Sequence, residues 1–143
     1  MSSRDTKLEQ LGFPLDRATP EGKLVDALRF DGDHLTSTGK VPSQVSVTDA
    51  TKAAALCAAN CLRAVIHAVG SLDRIAHLVR ITGYVNTDPD FTDQHLVING
   101  ASQLVRDVLG DAGRHARTAL GMAQLPLGSS VEVEMIVRLG SAK

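Results

Sequence analysis

The sequence predicts an α+β fold of two layers, in the order β-β-α-β-α-β-β, with two amphipathic helices on one face of a mixed sheet. Three observations predict it. Near the C-terminus Val131, Val133, Met135 and Val137 alternate with Glu132, Glu134, Ile136 and Arg138, the period of a half-buried strand. Two stretches, Ala50 to Val69 and Val97 to Val108, repeat apolar residues at helical spacing. Asp31-Gly32-Asp33 lies between two alternating segments, a strong short-range hairpin signal.

The totals bound the answer. A chain of 143 residues, 43% hydrophobic and with a formal net charge of −1, fits one globular domain, residues 24–143, behind an N-terminal arm, residues 1–23. No apolar run approaches the roughly 20 residues that cross a bilayer, and the polar start MSSRDTKLEQ lacks the apolar region of a signal peptide. A cytoplasmic protein with no membrane partner is the expectation. Aromatic residues make up 3% of the chain and Trp is absent, which leaves little for stacking nucleic-acid bases, so no nucleic-acid partner is expected.

In the arm, Thr6 to Leu11 reads as a short helix ended by Gly12, and Pro14 and Pro20 carry an extended linker onward. Leu8, Leu11 and Phe13 can staple it to the body, or it can trail as a tail. The first hairpin runs from Leu24 to Phe30 and from His34 to Thr38, and the chain turns again at Gly39 and Pro42. Ser46 or Thr48 can cap the first long helix, which Gly70 stops. That helix is apolar nearly all round except for a stripe with Asn60, Arg63 and His67, so more than one side is covered. Cys57 and Cys61, four apart, lie on one face as small buried thiols; His67 gives no familiar metal spacing with them, and no metal or cofactor is expected.

A strand follows from His77 to Asn86, with Val79, Ile81 and Val85 on one face and Leu78, Arg80, Thr82, Tyr84 and Asn86 on the other. Asp88-Pro89 is expected to open the second helix, the aspartate as cap and the proline in the first turn, and Gly110 to close it. The last stretch, from His115 to Val137, reads as two strands joined by a turn. In its first arm Arg117, Ala119, Gly121 and Ala123 share one face.

An arginine and a glutamate on neighbouring strands, Arg117 and Glu132, suit a small carboxylate-bearing molecule. The guanidinium matches a carboxylate in bidentate fashion, and the glutamate can orient a water or move a proton beside it. A plain cross-strand ion pair is the other reading.

The run Arg117-Thr118, then Leu125-Pro126, then Val131-Glu132-Val133-Glu134 resembles the C-terminal signature of the YjgF/RidA family of reactive-intermediate deaminases, once labelled L-PSP endoribonucleases. Thr38-Gly39-Lys40-Val41-Pro42 is similar to that family's S/T-G-Q-[IVL]-P turn, Val79 to Asn86 to its central strand, and Asn99 to the asparagine of its second helix. The runs VINGASQL and GRHART resemble a less characterised branch.

The resemblance implies a fold like that of bacterial trimeric chorismate mutase, a homotrimer, and sites in clefts between subunits. It implies that Arg117 holds a substrate carboxylate, that Glu132 positions a water, and that Thr38, Gly39, Asn99 and Ala119 line the pocket. The implied reaction is hydrolytic deamination of a reactive enamine or imine to a 2-keto acid and ammonia, without cofactor. Two positions depart from the pattern. Better-known deaminases place a tyrosine where this chain has Leu24-Val25, and often a cysteine where it has Ala119. A non-catalytic carboxylate binder or regulatory protein is therefore the alternative, with a ribonuclease, in which His115 beside Arg114 and Arg117 would act, the third.

Overall fold

A computed structural model of the chain describes residues 2–15 and 37–141. The expected hairpin of residues 24–38 lies outside the described residues except for its end at Ser37 and Thr38. The described elements are α1 (Ser3–Gln10), α2 (Val47–Val69), β1 (Ile75–Asn86), α3 (Gln94–Leu109), β2 (Ala116–Met122) and β3 (Val131–Leu139), with short 3-10 turns between them.

Ser46 starts α2 by accepting a hydrogen bond from the Asp49 amide at 3.0 Å, and Gly70 ends it at φ 86°, a conformation that costs glycine little. The Ser46 hydroxyl also donates to the Asp49 carboxylate, which holds that carboxyl below its usual range. By length and composition α2 could cross a membrane, contrary to the sequence expectation, yet 11 of its 23 residues are buried inside this molecule. Its apolarity is that of a core helix.

The three described strands form one mixed sheet in the order β2-β1-β3. From β1 the chain crosses over through α3 and returns as β2, parallel to β1. It then passes the end of β1 and comes back as β3, antiparallel on β1's other side. The C-terminal stretch is therefore not two neighbouring strands: β1 lies between its arms. The passage is pinned by Lys40, whose ammonium donates to the carbonyls of Thr87 and Ala123 and to Asn86 Oδ1 at 2.9 Å. Buried Asn86 in turn donates to the Ser129 carbonyl at 3.0 Å.

Both long helices cover one face of the sheet, and the core between the layers holds Ala54, Leu62, Ile81, Val85, Ile98, Val105, Val131 and Val133. Cys57 and Cys61 are buried against β3, donating weakly to the carbonyls of Val131 and Val133. Burial pushes the Cys61 thiol up to about 12.

Two expectations about local pattern fail for identifiable reasons. In β1, register shifts beside His77 and between Leu78 and Arg80 break the alternation, so Leu78 is fully buried while Val79 is 42% exposed. Asp88 does not cap α3. Its carboxylate accepts from the Ser43 hydroxyl at 2.9 Å and the Ser43 amide at 2.8 Å, hydrogen bonds that hold its carboxyl below the usual range, and α3 begins five residues later behind Asp93.

The N-terminal segment is docked, not trailing. Leu8 is fully buried in the main core, Asp5 accepts from the Leu72 amide at 2.9 Å, and Arg4 donates to the Ile75 carbonyl at 2.8 Å. The polar stripe of α2 is thereby accounted for: Asn60 and Arg63 are buried, with Arg63 Nε donating to the Pro14 carbonyl at 2.8 Å, and His67 alone is exposed.

Candidate functional site

Facing residues of a sheet share a side, so the register fixes where each candidate residue points. Arg117 of β2 faces Ile81 of β1, which is fully buried under the helices. Its side chain thus rises on the helix-covered side, at the outer strand of the described sheet, where α3 meets it. Asn99 and Ser102, three apart on α3, present their side chains to that spot. Arg117 Nη1 donates to Asn99 Oδ1 at 2.7 Å and to Ser102 Oγ at 3.3 Å.

His115, two residues before the arginine on the same side of the chain, completes the group. Its Nε2 lies 3.0 Å from Ser102 Oγ and its Nδ1 lies 2.7 Å from the Gly113 carbonyl oxygen. A carbonyl only accepts, so Nδ1 carries the proton; in the neutral ring Nε2 is then the acceptor of the Ser102 hydroxyl.

These four side chains border an open groove of about 1140 Å³ that runs over α3 to Phe13 of the N-terminal segment and Ala55 of α2. Both Nη1 hydrogens of Arg117 are committed to α3, while Nε and Nη2 take no partner among the described residues. That leaves one edge of the guanidinium, the edge that matches a carboxylate in a two-point contact. Ala119, one pleat further on, faces Gly83 and packs on the core, so it adds a methyl group and no polar atom.

The other expected residues lie elsewhere. Glu132 of β3 faces Tyr84, on the side of the sheet away from the helices. Arg117 and Glu132 are thus two strands and three residues apart on opposite faces, with Cα atoms about 14 Å apart at the usual strand spacing and rise. The expected carboxylate-gripping pair on neighbouring strands does not form within one chain. Thr38 and Gly39 lie against the turn that leads into β3: Thr38 bridges to Ser129, and the Gly39 amide donates to the Gly128 carbonyl at 2.8 Å. With φ 118°, Gly39 takes a conformation that side-chain-bearing residues rarely adopt.

The candidate residues therefore fall into two groups, Arg117 with Asn99, Ser102 and His115 on the helix side, and Glu132 on the other face of the sheet, with Thr38 and Gly39 against the turn that leads into its strand. Ser102 is the residue that sequence reasoning missed. The signal was there, since Asn99 and Ser102 share a helix face and His115 and Arg117 share a strand face. Among the described residues no three of His, Cys, Asp and Glu converge to hold a metal ion.

Residues 25–139 match the model of the family described as "YjgF/chorismate mutase-like, putative endoribonuclease". Protein TCP17 of Trypanosoma cruzi is 43% identical over 105 residues, 73% of this chain and 66% of that protein's length, so the match spans just under two thirds of the relative. Among solved structures, the Agrobacterium tumefaciens protein Atu1372, of unknown function, is 40% identical with a TM-score of 0.83, the alignment covering 95% of this chain and 91% of that one. A structure from Shewanella oneidensis MR-1, described as a "putative endoribonuclease", has the same TM-score of 0.83 at 22% identity, covering 96% of this chain and all of that one, and speaks to the fold alone.

Proposed function

The chain belongs to the YjgF/chorismate mutase-like family, and on that premise we propose that it hydrolyses a reactive enamine or imine carrying a carboxylate to the corresponding 2-keto acid and ammonia. The observation that carries the reading is Arg117, fixed by Asn99 at the rim of a groove with one edge of its guanidinium left over. A carboxylate bound there in two-point contact puts the adjacent C=N carbon at a fixed height above β2, where water meets it in a constant geometry. Protonation of the enamine at carbon gives the protonated imine, water adds to its C=N carbon, and after proton transfer to nitrogen ammonia leaves. None of these steps transfers an electron to a carrier, so the reaction needs no cofactor.

Glu132 enters from a second copy of the chain. A heterologous contact brings different surfaces of two copies together, and a rotation that closes makes a ring. Such a ring, a homotrimer in this reading, sets the Glu132 half-site of one copy against the Arg117 half-site of the next. The test is ammonia release from freshly generated 2-aminoacrylate. Wild-type protein accelerates it, and a folded Arg117→Ala variant does not; a fully active variant would end the reading.

The separation of Arg117 from Glu132 also favours a second reading, a non-catalytic carboxylate binder, because within one chain Glu132 lies on the other face of the sheet from Arg117. That reading predicts keto-acid binding lost in Arg117→Ala, with no acceleration of ammonia release by the wild type.

A further inference from the structure

We infer that Ser102 and His115 form the proton relay of this site, a role that rests on the deaminase reading above. The hydrogen bonds have a direction along the whole group. His115 donates from Nδ1 to the Gly113 carbonyl, which fixes the tautomer, so its Nε2 lone pair takes the Ser102 hydroxyl proton. Arg117 Nη1 fills one lone pair of Ser102 Oγ, leaving the other for the groove. A hydroxyl held between a basic ring and a guanidinium, facing a cavity, is arranged to take a proton from a water while giving its own to the ring. The charged groups that share the groove with the ring are Arg114 and Arg117 on its own segment, Arg106 and Asp107 of α3 and Lys52 of α2. That mostly cationic surround draws an anionic substrate towards the relay.

A water bound against Ser102 Oγ loses a proton to that oxygen as its own oxygen bonds to the carbon of the protonated imine, and the C=N electron pair becomes the lone pair of a neutral amine nitrogen. The Ser102 hydroxyl proton passes at the same time to His115 Nε2. In the return step the imidazolium gives a proton back to Ser102, which gives its own to the amine nitrogen. The C–N bond then breaks with its electron pair going to nitrogen, the carbinol oxygen becomes the keto oxygen, and its proton leaves with the ammonia as ammonium. Ser102 touches the reacting water and is the catalytic residue; His115 acts through it as a positioning and proton-storing group.

The relay is tested with Ser102→Ala, Ser102→Thr and His115→Gln in the 2-aminoacrylate assay across pH, beside Arg117→Ala. Alanine suits an α-helix, so the Ser102→Ala protein keeps α3. Removing a proton-transfer group typically costs about 10²-fold or more in rate. Ser102→Ala should lose kcat on that scale with KM little changed, Ser102→Thr should retain most of it by keeping the hydroxyl, and His115→Gln should lose the acidic limb of the kcat/KM profile. If Ser102→Ala turns over at wild-type kcat, or its acidic limb and that of His115→Gln match the wild type while Arg117→Ala is dead, the relay is overturned and the site reading stands. A wild type without activity, or a fully active Arg117→Ala, removes both. Nitrogen NMR of the ring gives a readout apart from turnover: the neutral His115 should carry its proton on Nδ1, and an Nε2–H tautomer would overturn the relay.

Discussion

Because Arg117 and Glu132 sit on opposite faces of one sheet, two defective proteins should make a working one. Arg117→Ala and Glu132→Gln each remove one half-site and leave the other intact. Inside a chain the two residues are three residues apart along β1 and two strands apart across it, about 14 Å at usual sheet spacings, with β1 and the sheet itself between them. No rotamer closes that gap. A site built from neighbouring copies in a ring needs an intact arginine from one copy and an intact glutamate from the next. When the two variants are co-expressed in equal amounts and assemble at random, about a quarter of the sites combine both intact residues. The assay is ammonia release per subunit from 2-aminoacrylate, with mass measurement to establish that mixed oligomers form. Each parent should be near the uncatalysed rate and the mixture near a quarter of wild type. A mixture as inactive as its parents refutes the shared site, and full activity in either parent refutes that residue's role.

Three further outcomes test the fold around the site. Leu8→Ala should lower the unfolding free energy by about 2–5 kcal/mol in urea titrations, since Leu8 is fully buried in the main core; a change near zero would mean that α1 does not dock. Gly100→Ala should destabilise by about 1–3 kcal/mol or more, because a methyl group there collides with the Thr51 carbonyl, backbone that cannot swing aside; unchanged stability would contradict the close contact of α2 and α3. For Cys61 the folded thiol is raised from 9.0 to about 12, so the unfolded chain ionises first as pH rises. The contribution is complete below pH 9 and is lost progressively towards pH 12 at about 1.4 kcal/mol per unit of pH at most, and Cys61→Ala should show a correspondingly shallower alkaline loss of stability. Parallel alkaline curves for the two proteins would contradict it.

What could be read in advance was what depends on neighbours in the chain. Ser46 caps, Gly70 stops and the Val131–Val137 alternation are local signals, and each is present in the fold. Asp88 misled because its partner, Ser43, is 45 residues away; an Asp-Pro pair looks the same whether the carboxylate caps its own helix or another turn. The β1 bulges moved Leu78 and Val79 to the sides opposite to those that strict alternation assigns. The strand order was hidden for a similar reason. A six-residue connection between two alternating runs reads as a hairpin, but the parallel crossover through α3 leaves β2 and β3 on either side of β1. Arg117 was singled out by its chemistry on a predicted strand and Asn99 by resemblance, and the pairing of their side chains rests on a fold that no spacing rule could supply.

The same strand order explains why the polar groups at this site sit where they do. A residue at position 119 faces Gly83 and is half-buried against the core, where Ala119 offers a methyl group and no proton-carrying atom. Alanine there makes that stretch of β2 a packing surface, and no acid or base on the helix side of β2 follows Arg117 until the strand ends at Met122. Any proton handling on this side has to come from beside the strand rather than from it. The segment that enters β2 and the α3 face above it are the two places within reach, and they supply His115 and Ser102. Across the sheet, Glu132 is too far to substitute, so in the proposed reaction each proton moved at Arg117 comes either from that relay or from a neighbouring copy. Comparing Ser102→Ala with Glu132→Gln in the same assay separates the two supplies: loss of the pH-dependent limb belongs to the first, and restoration by mixing with Arg117→Ala belongs to the second.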